Sequence, residues 1–111
     1  MRKIASVKIP NANAIRLMIY DKGPNDGVFV FGYDSKEDSS CSWDCHYNEL
    51  DDAYEMGEDY GIQKEDWKEI DIPYENCQED WISPVRVKGR LNGNPAWGKL
   101  ERLVDGKWIE L

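Results

Sequence analysis

Apolar and polar residues alternate in short runs along most of this chain, the period of strands. Residues 3–9 (Lys-Ile-Ala-Ser-Val-Lys-Ile) predict a strand that Pro10 ends. Residues 14–20 and 28–33 are β-branched and aromatic, and Asp21-Lys22-Gly23-Pro24-Asn25-Asp26-Gly27 between them is dense in turn formers. The pattern predicts a hairpin with a loop of about five residues. Setting Ile19 opposite Phe29, Leu17 opposite Phe31 and Ile15 opposite Tyr33 places six large side chains on one face, where a core would take them. Residues 34–45 show no useful period and are expected to form a loop.

One segment has the helical period. Over Glu49–Tyr60, the residues Leu50, Ala53, Tyr54, Gly57 and Tyr60 make a narrow apolar stripe. Asp51, Asp52, Glu55, Glu58 and Asp59 take the remaining surface. Asn48 is the expected N-cap, with Asp51 in capping-box-like spacing. Gly61 suits the left-handed residue after the helix, and Ile62 can fold back onto the stripe. Acidic residues in the last turn oppose the helix dipole, at up to ~1 kcal/mol each. A helix that carries that cost suggests the charge is wanted there.

Beyond the helix, Trp67–Ile70 predicts a short strand, and 71–83 is long, irregular and bulky. Pro84–Lys88 alternates as a strand, and Asn92-Gly93-Asn94-Pro95 signals a turn. Residues 99–104 and 107–111 flank Asp105-Gly106, the strongest hairpin signature present. A two-residue turn there pairs Leu103 with Trp108 and Leu100 with Leu111, and sets Glu101 opposite Glu110. The order of elements predicts an α+β fold, mainly an antiparallel sheet of hairpins with one amphipathic acidic helix packed on one face. At 111 residues, a single globular domain over 1–111 is expected.

Charge changes the picture more than composition does. Residues 34–82 hold 17 Asp and Glu against 3 Lys, whereas residues 1–33 and 84–111 are each +3. One acidic segment lies between two mildly basic ones. Direct binding to nucleic acid is disfavoured, because that affinity comes from Lys and Arg neutralising phosphates. An anionic membrane surface is disfavoured likewise, and no run approaches the ~18 apolar residues of a membrane span. The start, Met1–Lys8, is basic without an apolar run of signal length. With three cysteines, an odd number, the expectation is a cytoplasmic protein with free thiols.

Little chemistry is legible. Cys41, Cys45, His46 and Cys77 are the one set of zinc-ligand types, but their spacing lacks the two close pairs of structural zinc sites. Buried thiols are the better reading. Cys77 with His46 is a poor nucleophile and base, since an acidic segment disfavours a thiolate. No phosphate-binding glycine loop, nucleophile elbow or calcium loop is present, so neither cofactor nor metal is expected and the chain is read as no enzyme. The five tryptophans exceed the needs of a small core. Trp43 and Trp81, beside the acidic helix in sequence, are expected as surface anchors.

These features predict a non-catalytic binding domain. Asp51, Asp52, Glu55, Glu58 and Asp59, with Trp43 and Trp81, are its expected contacts with a basic protein. In size, charge and lack of catalytic motif the chain resembles small acidic inhibitors of basic toxins, notably bacterial immunity proteins that block secreted nucleases. The resemblance is one of character and implies carboxylates standing in for phosphates in a cationic cleft. The alternative expectation is a structural or adaptor domain in which the charge serves solubility.

Overall fold

Antiparallel pairing organises the chain. A computed structural model describes residues 1–10 and 12–111, Leu91 by its backbone alone. Strands β1 (Arg2–Ser6), β2 (Arg16–Asp21), β3 (Val28–Tyr33), β4 (Trp43–Tyr47) and β5 (Lys68–Ile70) form one sheet in the order β4-β3-β2-β1-β5. Helix α1 (Leu50–Glu58) packs on it. These elements belong to Met1–Ile72, the first of two compact units; the second is Pro73–Leu111. It holds β6 (Val85–Val87), β7 (Leu100–Val104) and β8 (Lys107–Glu110) in a three-stranded antiparallel sheet. Among the described residues the fold is α+β, eight antiparallel strands with one α-helix. No helix among them is long and apolar enough to cross a membrane.

The β2–β3 hairpin forms, but one residue out of the expected register. Ile19 pairs with Val30, Leu17 with Gly32 and Met18 with Phe31. Two causes combine. The loop runs from Lys22 to Gly27, closed by Lys22 N–H donating to Gly27 O at 2.9 Å, with Gly23 N–H on Asp21 Oδ1 at 2.9 Å. The sheet is also buried on both faces, so polar alternation gives no guide to which residues face the helix. Leu17, Ile19, Val28 and Val30 face it, whereas Met18, Phe31 and Tyr33 lie buried on the other side. That far face also carries Arg2, 2 % exposed, whose Nε donates to Asp71 O at 2.7 Å, and Arg16, stacked 4.0 Å over the Tyr33 ring.

The core of the first unit lies between sheet and helix. Ala53 and Gly57 of the expected stripe are buried, and the partly buried Leu50, Tyr54 and Tyr60 pack against a core that includes Trp67 and Ile62. Each fully buried aliphatic here, such as Leu17, Ile19 or Val30, contributes about 1.5–3 kcal/mol relative to exposure. The helix ends as its sequence requires. Gly61 adopts φ +76°, a conformation side chains disfavour, and Ile62 N–H returns to Gly57 O at 3.0 Å. Its start differs. Glu49, not Asn48, is the cap residue, without a side-chain cap bond. A reciprocal capping box forms instead at the 3-10 turn Lys64–Asp66, between Gln63 and Asp66.

Part of the expected 34–45 loop is strand. β4 pairs along β3 from Val28↔Tyr47 to Gly32↔Trp43. The Trp43 indole lies over Gly32, where any Cβ would collide with it. A glycine in a strand and a tryptophan across from it are one feature, visible only when paired.

In the second unit the Asp105-Gly106 turn has both residues at positive φ, and Leu103 pairs with Trp108. Glu101 does oppose Glu110. The repulsion is offset by cations from β6 and just beyond it: Arg86 Nε reaches Glu101 Oε1 at 3.2 Å and Lys88 Nζ reaches Glu110 Oε2 at 2.8 Å. Arg86 also stacks 3.8 Å over the Trp108 ring.

Candidate functional site

The apolar stripe fixes which way the rest of α1 points. Helical geometry puts Asp51, Asp52, Glu55, Glu58 and Asp59 within an arc of roughly 120°, over an axial length of about 12 Å. All five carboxylates are exposed. Among the described residues none of them forms a salt bridge. The cations near the helix are engaged elsewhere. Lys3 Nζ donates to Tyr54 Oη at 3.0 Å, Lys64 lies 5.2 Å from the Tyr54 ring, and Lys8 pairs with Asp66 at 2.6 Å. That pair and the Gln63 backbone N–H hold the Asp66 carboxyl below its ordinary range. The last turn of α1 contains no basic residue to offset its dipole.

Trp43 lies not in this arc but on the core side, against Tyr60 of the apolar stripe just beyond the end of α1. It is half-buried, 6.2 Å from the Tyr60 ring, with Nε1 donating to Asn13 O at 3.0 Å. Tyr60 Oη donates to Asn13 Oδ1 at 2.6 Å, so both aromatics are tied to one residue. Tyr47, on the same side of β4, has its phenol pushed up to about 12, by burial first, then by Cys45, Tyr60 and Asp52. The phenol therefore stays protonated beside Asp52.

Trp81 is placed differently. It belongs to the second unit, is 8 % exposed, and has the Arg102 guanidinium 5.4 Å over its ring. It packs rather than presents, so the surface does not include it. The tryptophan that does stand in solvent is Trp97, 74 % exposed. Its signal in the sequence is weak: it follows the turn formers Asn94-Pro95, between the small residues Ala96 and Gly98.

The cysteine set is divided. Cys41 and Cys45 lie in the first unit and Cys77 in the second, and none of the three is in a disulfide. Among the described residues no group of three or more His, Cys, Asp and Glu side chains could hold a metal ion. His46 is exposed, with Nε2 2.8 Å from Asp26 O and its ring edge-on to Phe29. Burial raises the Cys77 thiol, against the lowering pull of Arg86 and Arg90. The direction is the one expected, but the cause is desolvation and not neighbouring carboxylates.

A cleft opens on the surface of each unit. One of about 290 Å³ is lined by Arg86, Lys88, Gly89, Asn92 and Glu101, whose charges are already matched to one another and to Glu110. The other, of about 230 Å³, lies between the β2–β3 loop and the start of α1, lined by Asp21, Gly23, Pro24, Val28 and residues 48–50. No family model, curated protein or solved structure matches the chain.

Proposed function

We propose that the chain is a non-catalytic binding domain whose acidic helix engages a basic protein, in the manner of an inhibitor or immunity protein. One observation carries this reading. Five exposed carboxylates share one arc of α1 and no salt bridge among the described residues neutralises them. Like charges so arranged repel, and a cationic partner removes that repulsion while gaining complementary contacts. Trp43, half-buried on β4 against Tyr60, offers a rigid aromatic on the neighbouring strand rather than within the arc.

The test replaces Asp52→Asn, Glu55→Gln and Asp59→Asn together. Stability stays within about 0.5 kcal/mol of the parent or rises, as expected for exposed surface positions. Partners are captured on immobilised parent protein from lysate of the native host, and association rates of the captured partner are compared at low and high salt. The parent associates faster at low salt, and the difference shrinks as salt rises. Equal rates for parent and triple variant at low salt would show that the acidic arc serves solubility, favouring an adaptor role.

A further inference from the structure

β4 is an outer strand, hydrogen-bonded along β3 on one side only. Which backbone groups its free edge carries follows from the register. The bond from Lys22 N–H to Gly27 O at 2.9 Å sets the phase of the β2–β3 ladder, so Phe29, Phe31 and Tyr33 turn their backbone groups toward β2. Alternation then turns Val28, Val30 and Gly32 toward β4, where they meet Tyr47, Cys45 and Trp43. Ser42 N–H, donating to Gly32 O at 2.7 Å, fits this phase as the extra bond of a bulge at the start of the strand. The N–H and C=O of Asp44 and His46 therefore point off the sheet, and among the described residues no hydrogen bond to them is formed.

Natural sheets blunt an open edge with Lys, Pro, a bulge or a covering segment. Residues 43–47 contain neither Lys nor Pro, and the bulge touches only the strand's first residue. The opposite outer strand, β5, is three residues long and begins with Lys68. β8 begins with Lys107, in a segment, 84–111, of net +3. The edge of β4 is the acidic one. Residues 34–59 around it carry ten carboxylates against one Lys, Asp44 itself is exposed, and Asp52 acts electrostatically on Tyr47 at the strand's end.

From these observations we infer that β4 accepts an extended, Lys- or Arg-rich segment of the partner as an added strand. The inference rests on the acidic-face reading above for the partner's positive charge: the α1 carboxylates attract the segment through their field, and the cation in contact is met by Asp44 on the other side of the sheet. Backbone bonds to Asp44 and His46 supply affinity, and alternate side chains supply selectivity. A residue opposite Asp44 shares its side of the sheet and is cationic; residues opposite Trp43 and Cys45 share the helix side and are apolar. The recognised pattern is thus cation and apolar residue in alternation.

The experiment uses the whole chain and two synthetic peptides of equal charge, one alternating Lys and Val, the other alternating Lys and Pro. Proline keeps the charge spacing but lacks the N–H and cannot complete a ladder. At low salt the Lys–Val peptide binds at least about tenfold more tightly and slows hydrogen exchange at the Asp44 and His46 amides by at least about tenfold. Equal binding of both peptides without protection of those amides overturns the added strand and leaves the acidic-face reading standing. Failure of both peptides to bind at low salt overturns both.

Discussion

Gly32 shows how one residue's identity is set by a neighbour far away in sequence. Its Cα lies under the Trp43 indole, and a methyl group there would overlap the ring. Gly32→Ala is expected to cost about 1–3 kcal/mol, the usual range for overpacking a well-filled site. The same change in a Trp43→Leu background costs less, because the overlapping ring is gone. Urea melts of the two single variants and the double variant form the cycle that checks it. Additive losses would mean that Gly32 is required for another reason. Nothing in residues 28–33 alone announces this, since Gly32 merely interrupts a run of apolar residues. The same holds for Trp81 and Trp97, whose exposures of 8 % and 74 % are set by tertiary packing and not by their immediate neighbours in sequence.

Elements were more legible than their registers. The helix stripe, its Gly61 stop and the Asp105-Gly106 turn follow from local chemistry, and each appears where local chemistry puts it. The β2–β3 register does not, because both faces of that sheet are buried and a shift of one residue sets Val30 and Gly32, in place of Phe29 and Phe31, opposite Ile19 and Leu17 without exposing a polar face. The start of β4, Trp43–Cys45, falls in the stretch whose sequence predicts a loop, because the strand's exposed positions, Asp44 and His46, are polar and its half-buried ones mix Trp, Cys and Tyr. Of the candidate site, the helix carboxylates were legible from the period, whereas the free edge of β4 needed the pairing. The Asp105-Gly106 turn predicts the Glu101–Glu110 opposition, but its remedy comes from β6 and its flank. Arg86→Met keeps the bulk over Trp108 and removes the charge from Glu101, whose side chain is 15 % exposed. A loss of about 1–3 kcal/mol is expected for a charged hydrogen bond in that setting. Adding Glu101→Gln recovers part of it. A neutral Arg86→Met in chemical denaturation would show that Lys88 alone offsets the pair of glutamates.

At the scale of the whole molecule the dominant fact is an unbalanced field. The chain carries −8 overall, concentrated in a segment, 34–82, with 17 carboxylates and 3 Lys. Among the described residues the ion pairs Lys8–Asp66, Arg86–Glu101 and Lys88–Glu110 neutralise none of the helix arc. Such a segment repels itself in the folded state, and it is kept only if something else requires it. Salt separates the two opposing effects. Screening over about 10 Å at 0.1 M weakens repulsion between separated carboxylates more than it weakens pairs in contact. Raising sodium chloride from low concentration to about 0.5 M should therefore raise the melting temperature, by roughly 4 °C for each ~1 kcal/mol of repulsion relieved. The triple variant at Asp52, Glu55 and Asp59 should melt higher than the parent at low salt and gain less from added salt. A parent protein whose melting temperature falls with salt would place the balance on the ion pairs instead. The charge would then be a stabilising network, and the argument that it is held in reserve for a cationic partner would lose its physical basis.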